Sequence, residues 1–524
     1  MGRLTDRRAV LRWGLAGTLG LALPAGTAVL AGMRPRVTPA GASAPAGPPA
    51  GAFTRPLPVP PVLSPQSTDG GVDRYEIRQT VGRQRLLPDS DTEIWGYNGM
   101  FPGPTVRARR GRPVVLAHRN ELSVPTVVHL HGGAVPPEQD GHPLDYVLPA
   151  AGSADAELAA HARHGVAGLA TGSREYRYAN DQPAATLWYH DHRMGFTGPA
   201  VYRGLAGFYL IHDEVEDALP LPRERRDVPL LVADRAFADD GSLFYPAVDP
   251  TGREPGVTAL YHHSGMVGET VTVNGVAWPY LEVDAALYRL RFLNASNARP
   301  YRLELDPPPP GGSGFVQIGS DLGLLPRPAH YDMFVLSPGE RYDVLIDFSR
   351  YPSGTRVVLR NNVAEGDPGY VMRFDVGAKV ADDARIPAVL TPEPAPPPRT
   401  TGTADRRFSF FSGAPGVRGP AMINGQAFGM TRIDARVAAG STEIWDLTAD
   451  PIHPVHLHGA RFRILKRNGA VPEPQDAGWK DTVFLPDGGM RLAVEFGGHR
   501  GRYVFHCHNL EHGDTGMMAT LDIT

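Results

Sequence analysis

Ten of the 19 histidines in this 524-residue chain fall in four tight clusters. They read His129-Leu130-His131, His190-Asp191-His192, His453-Pro454-Val455-His456-Leu457-His458 and His506-Cys507-His508-Asn509-Leu510-Glu511-His512. Each contains His-x-His. On a β-strand, side chains at i and i+2 project from one face, so each pair offers two imidazoles to one site without distorting the backbone. In His506-Cys507-His508 the thiol points to one face of the strand and both imidazoles to the other, so one segment serves two sites. An isolated His-x-His is usually coincidence; four of them in one chain point to metal ligation.

Ligand chemistry selects the metal. A thiolate with two imidazoles and a weak thioether describes a blue-copper electron-transfer centre, and the thioether is available at Met517, five residues past His512. Cys507, His512, Met517 and, from the preceding cluster, His453 make that set. Met518 competes with Met517, but an adjacent residue faces the other way on a strand. Eight histidines remain in four pairs, too many for one metal and enough for three coppers: two ligands for one and three for each of the others. A structural zinc site needs only four ligands and usually more thiolate, and Cys507 is the only cysteine, so zinc, iron-sulfur and disulfide readings are excluded. His118, His142, His161, His164, His212, His262, His263, His330 and His499 lie outside the pattern. The neighbours His262 and His263 would face opposite ways on a strand.

The elements that must carry these residues are strands. With 60 glycines, 52 prolines and only 21% charged residues, the composition suits short strands and many turns, a mainly β protein. β-branched and aromatic runs with period two occupy 113–118, 288–293, 341–348, 461–465 and 490–496. Only residues 154–162 have a helical composition, within an insertion at 150–173. Asn-Gly turns after Tyr97, Val273 and Ile423 hint at repeated units. Length predicts three or four domains. A basic pair, Arg7-Arg8, before an uncharged stretch at 13–33 reads as a secretory signal of the twin-arginine type, residues 1–33. Pro24 and five glycines weaken the alternative of a membrane anchor, so no stable membrane span is expected after processing. Ten prolines between 35 and 65 make 34–65 an extended tether, with the folded body starting near 66. Six more at 387–398 mark a second linker, 387–400. The charged run 213–227 is a softer break. The expected domains are 66–213, 226–378 and 401–524. Net charge is −4, with 49 Arg against 3 Lys, an imbalance that does not favour a nucleic-acid partner.

At these motifs the chain resembles the three-domain multicopper oxidases, most nearly the bacterial spore-coat laccases, with bilirubin oxidases and phenoxazinone synthases as relatives. The resemblance also rests on HLHGGAVPPEQDGHP, LWYHDHRMGFTGPAVYRGLAGFYLIHD, DVPLLVADRAFADDGSLFYP, FVQIGSDLGLLPRP and LSPGERYDVLIDF. It implies an all-β chain of three cupredoxin-like Greek-key β-barrel domains and four coppers. It implies type 1 copper at His453, Cys507, His512 and Met517, and type 2 copper at His129 and His456. Type 3 copper falls to His131, His190 and His508 on one ion and His192, His458 and His506 on the other. Dioxygen is then a partner, and the edge of His512 is the face that relatives expose to donors.

Cys507 would carry electrons between the sites, while dioxygen reduction also needs protons delivered by something that titrates. Asp140 matches the acid that the resembled oxidases keep near the copper cluster. Their second acid directly follows the last histidine ligand, and here that position is Gly513. Asp514 is the expected substitute and Glu511 a weaker one, although a one-residue shift on a strand would reverse the face. An axial methionine implies a lower potential, hence small, easily oxidised aromatic donors such as substituted phenols and aminophenols. The alternative is a metal oxidase acting on Cu(I) or Mn(II) in copper tolerance; a non-enzymatic envelope protein with the same fold is a more distant one. Export by the twin-arginine route, outside the cell or to its envelope, follows from the leader.

Overall fold

One device recurs three times in the chain. Asn98, Asn274 and Asn424 take φ of 56°, 49° and 52°, and Gly99, Gly275 and Gly425 follow at 70°, 76° and 73°. Consecutive positive φ values close a tight turn, and Asn and Gly tolerate them best. Each asparagine Oδ1 then accepts a backbone N–H of a neighbouring strand, from Arg78, Leu231 and Ser409, at 2.8 Å in all three cases. The Asn-Gly echo in the sequence is thus one structural unit used in triplicate.

The computed structural model describes residues 47–524 apart from 151–167, 250–253, 365, 382, 398–400, 414–420, 451–452 and 486–488. The signal segment, residues 34–46 and the stretch 154–162 lie outside the described residues. Each of the three units pairs two sheets on one core. The first sets the four-stranded sheet of Thr92–Tyr97, Asp73–Gln84, Val114–Asn120 and Ser173–Tyr178 against that of Gly103–Arg109, Ala206–His212, Ala185–Asp191 and Val128–His131. Ile77, Leu116, Tyr176, Leu130 and Leu187 fill the space between them. The middle unit has sheets of seven and five strands, and the last has two of five. This is a cupredoxin-like fold. The five period-two runs form Val114–Asn120, Leu287–Asn294, Arg341–Asp347, Ala460–Arg467 and Met490–Phe496.

Two expectations need correction. The Pro-rich segment is extended, but from Ala52 onward it is not a free tether. Phe53 and Leu57 are buried in the middle core, and their N–H groups donate to the carbonyls of Trp278 (2.8 Å) and Tyr280 (2.6 Å). Burying two such side chains contributes roughly 1.5–3 kcal/mol each, enough to hold a chain whose prolines have already reduced its entropy. Leu390 in the second Pro-rich stretch likewise packs beside Leu221, Leu287 and Leu345. The charged run 213–227 is not a solvated break either. Glu216 and Asp227 are buried against Arg289 (3.0 Å) and Arg291 (2.7 Å) of the middle unit, so the charges join the first two units instead of separating them.

Candidate metal centre

Strand register brings the clusters together. Val128–His131 and Ala185–Asp191 pair antiparallel with His129 opposite His190. In the last unit His453–Leu457 pairs with Gly501–Cys507, so that His456 faces His506 and Val455 faces Cys507. Alternation then puts His453 on the Cys507 face and His456 on the His506 face. Two sites back to back are the direct result.

On the His506 face the first and last units meet. His129 Nε2 lies 3.4 Å from His456 Nε2, and His506 Nε2 lies 3.1 Å from His192 Nε2 and 3.2 Å from His458 Nε2. Side-chain donor atoms converge within 4.8 Å in the groups His129/His131/His456, His131/His190/His508 and His192/His458/His506. All eight imidazoles are buried. The outer nitrogens of four of them are tied to carbonyls: Nδ1–H of His129 donates to the Asp140 carbonyl (2.5 Å), of His456 to the Asp481 carbonyl (2.9 Å), of His190 to the Asp191 carbonyl (2.8 Å) and of His506 to the Cys507 carbonyl (2.9 Å). A carbonyl only accepts, so the proton is fixed there and the lone pair of Nε2 points inward. The inward nitrogens have no protein donor among the described residues; His131 Nδ1, His190 Nε2 and both nitrogens of His508 make no hydrogen bond. Burial, reinforced by the neighbouring imidazoles, holds His129, His192, His458 and His508 far below the usual histidine range, and His506 falls to about 3. Neutral, converging, unpartnered imidazoles are the donor set that a cluster of transition-metal ions completes.

On the other face His453 Nδ1 lies 3.3 Å and His512 Nδ1 3.7 Å from Cys507 Sγ, and the three form a fourth convergent group. Burial pushes the Cys507 thiol up, so a thiolate here needs a cation beside it. Met517 is buried in the same core cluster as Cys507, and its carbonyl accepts the Cys507 N–H (3.0 Å). Met518 lies on the next strand opposite His506. His512 departs from the exposed edge implied by the resemblance. It is fully buried, and its Nε2–H donates to the backbone carbonyl of His263 in the middle unit (3.0 Å).

The acids sit differently from expectation. Asp140 closes the short helix Pro137–Asp140, and Gly141 follows at φ 79°, where an added Cβ would lie 2.0 Å from the Val128 carbonyl. Its Oδ2 accepts His458 Nδ1–H at 2.7 Å, and burial, then Asp145, pushes its carboxyl well above the usual range. Residues Leu510–Asp514 form a helix, not a strand, so the argument that Asp514 faces away from Gly513's side does not apply. Asp514 accepts the N–H groups of Thr197 (2.9 Å) and Gly198 (2.8 Å) at the start of the helix Thr197–Arg203. Glu511 accepts from Tyr245 Oη (2.8 Å), Asn297 (2.7 Å) and Met266 N–H (2.9 Å). Burial raises both carboxyls.

Sequence reasoning missed three supports. Asp481 accepts His131 Nε2–H (3.0 Å) and a bidentate fork from Arg341 of the middle unit (2.7 and 2.6 Å). Asp450 accepts His453 Nε2–H at 2.6 Å. The His263 carbonyl is the third. Arg341 falls inside a quoted stretch, LSPGERYDVLIDF, but nothing local marks its partner. A cavity of about 500 Å³ bounded by Gly132, Val135 and Leu322 reaches His129, His456 and Asp140.

Two multicopper oxidase family profiles match the chain, one at 80–167 and 168–216 and the other at 391–524. The chain is 36% identical to a laccase of Bacillus subtilis over 525 residues, covering 90% of this chain and 98% of that protein. It is 34% identical to the bilirubin oxidase of Albifimbria verrucaria, covering 90% and 81%. Its fold matches the crystal structure of a laccase from Pediococcus acidilactici with a TM-score of 0.76 and 32% identity, over 93% of this chain and 96% of that one. Such likeness along the whole described body, together with histidine groups that call for several metal ions, makes this chain a member of the multicopper oxidases, a copper-dependent oxidoreductase family with four coppers per chain.

Proposed function

We propose that the protein is a laccase-like oxidase that takes single electrons from phenolic or aminophenolic donors and reduces dioxygen to water. The observation that carries this reading is the double-faced strand: Cys507 belongs to one convergent group, and its covalent neighbours His506 and His508 belong to two others. Bound copper supplies the one-electron redox chemistry and the dioxygen-binding positions that no side chain offers. His453, Cys507, His512 and Met517 hold the type 1 ion, His129 and His456 the type 2 ion, and the remaining six imidazoles the type 3 pair. Asp140, whose Oδ2 accepts from His458, stores a proton on its carboxyl at the edge of the 500 Å³ cavity, where water has access. Asp514 is a second proton store, tied to the helix Thr197–Arg203. Residues 66–213, 226–378 and 401–524 act as the three domains, with the first and last enclosing the three-copper site. Among the described residues no helix is long and apolar enough to cross a membrane, and the Arg7-Arg8 leader supports twin-arginine export.

A metal oxidase reading has less support: the 12 methionines are scattered, and no Met-rich segment stands over Cys507. The test is the purified protein. About four coppers per chain are expected, with an intense visible thiolate band and oxygen uptake that is faster with a dimethoxyphenol than with Cu(I). Cys507→Ser should abolish the band and the uptake while keeping most of the remaining copper. A colourless wild-type protein, or a preference for Cu(I), would overturn the reading.

A further inference from the structure

A second, larger cavity lies beyond the clustered histidines, with Asp191 and Tyr245 in its wall. It measures about 650 Å³ and lies between the helix Thr197–Arg203 of the first unit and residues of the stretches 238–249 and 254–261 of the middle unit. None of the ten clustered histidines lines it. Its walls are rich in rings, among them Trp95, Phe196, Phe244 and Tyr245. Ring faces of this kind bind flat apolar ligands.

Two arginines bracket the helix and line the same cavity. The Arg193 guanidinium lies 3.8 Å from the centre of the Phe196 ring, and that of Arg203 lies 4.3 Å from the centre of the Trp95 ring. Stacking satisfies the face of a guanidinium but leaves its hydrogen-bonding fork open. Among the described residues neither fork has a carboxylate within 4.0 Å or a hydrogen-bond acceptor. Other half-buried arginines of the chain are paired, as Arg373 is with Asp375 (2.6 Å) and Arg467 with Asp476 (2.9 Å), although Arg463, stacked on Trp479, also leaves its Nε without a partner. Burial lowers both unpaired guanidiniums from their ordinary range, the mark of a cation that lacks a full counter-charge. The two ends differ, however: two acids, Asp191 and Asp514, offset Arg193 in part, and one, Glu93, offsets Arg203. The other acids of the cavity, Asp249 and Glu254, come from the middle-unit side.

We propose that this cavity is a binding site for an aromatic carboxylate, with the ring among the aromatic walls and the carboxylate on the open fork of Arg203. A fork–carboxylate pair is planar and bidentate, held by charge-assisted hydrogen bonds. An uncharged ester of the same ring keeps the apolar contact and loses the pair. The site is separate from the copper groups, so occupancy does not require turnover.

The probe is cinnamate, whose ring carries no phenol to oxidise, and the measurement is equilibrium dialysis against the copper-loaded protein. One cinnamate per chain is expected, with methyl cinnamate binding at least tenfold more weakly. Arg203→Gln should weaken cinnamate at least tenfold and leave methyl cinnamate unchanged; an unaltered visible spectrum and circular dichroism show that the variant is folded. Equal binding of acid and ester by the wild type, undiminished cinnamate binding by Arg203→Gln, or no binding at millimolar cinnamate would each overturn the site. None of these outcomes bears on the oxidase reading, which oxygen uptake tests separately.

Discussion

Arg341 is the cation that the middle unit sends to the metal centre, and replacing it with methionine tests whether that unit does more than space its neighbours. The side chain is fully buried. Its guanidinium donates to the carbonyls of Thr186 (3.0 Å), Gly339 (3.0 Å) and Asp321 (2.9 Å) and to both oxygens of Asp481 (2.7 and 2.6 Å). Burial opposes the charge on Asp481, yet Arg341 and then His131 outweigh it and hold the carboxyl well below the usual range. Removing one partner of such a pair leaves an uncompensated buried charge and costs about 3–5 kcal/mol. Asp481 must then take up a proton or swing away. Either event disturbs His131, which donates to its side chain, and His456, which donates to its carbonyl. Loss of an outer partner of a ligating histidine typically weakens metal binding 10–100-fold, or about 1.4–2.8 kcal/mol. Arg341→Met should therefore lose copper to a chelator at a 10–100-fold lower concentration than the wild type. Its copper-free form should also unfold at a lower denaturant concentration. Arg341→Lys keeps the charge but not the fork and should fall between the two. If Arg341→Met kept wild-type chelator resistance and an unshifted unfolding midpoint, the positioning role would be wrong.

Asp140→Asn keeps an acceptor for His458 but has no carboxyl on which to hold a proton; reoxidation of the reduced protein by dioxygen should slow by about 10²–10⁴, while anaerobic bleaching by a phenol stays unchanged in stopped flow. In Asp450→Asn the charge 2.6 Å from His453 Nε2 is removed, so the type 1 potential should rise, by tens of millivolts to about 100 mV, in a redox titration; a fall or no change would refute the contact's electrostatic role. His118, buried among Tyr97, Tyr176 and Tyr189 with no hydrogen bond to either ring nitrogen, has its pKa lowered by burial to about 3. Between pH 6.5 and 3 the unfolded chain binds a proton there that the folded chain does not, so stability drains away as pH falls through that window, by about 5 kcal/mol in all. His118→Phe should flatten the acid limb of the thermal midpoint; an equally steep limb would exclude His118 as its source.

The convergence of the clustered histidines with Cys507 was legible because strand alternation is a local rule. His506-Cys507-His508 needs no knowledge of the rest of the chain to place a sulfur and two imidazoles on opposite faces. Asp481 and Arg341 were not legible, because their contact spans 140 residues and depends on how two units dock. Asp514 was misread for a local reason: the strand carrying Cys507 ends at that residue, and the helix Leu510–Asp514 resets the periodicity. In the Pro-rich segment the average composition concealed Phe53 and Leu57, two apolar anchors among residues that bury little. The charged run 213–227 deceived similarly, since its acids find Arg289 and Arg291 only after folding.

The clasp on His512 is made of main chain. Because a peptide oxygen holds that imidazole, residue 263 can change identity without loosening the ligand. The neighbouring side chains, Leu260 with 76% of its surface exposed among them, can therefore drift through evolution or be randomised in a library while His512 keeps its hydrogen bond. The outer surface over His512 and the anchoring of its imidazole are thereby written on separable parts of the chain, and selection can revise the first without erasing the second.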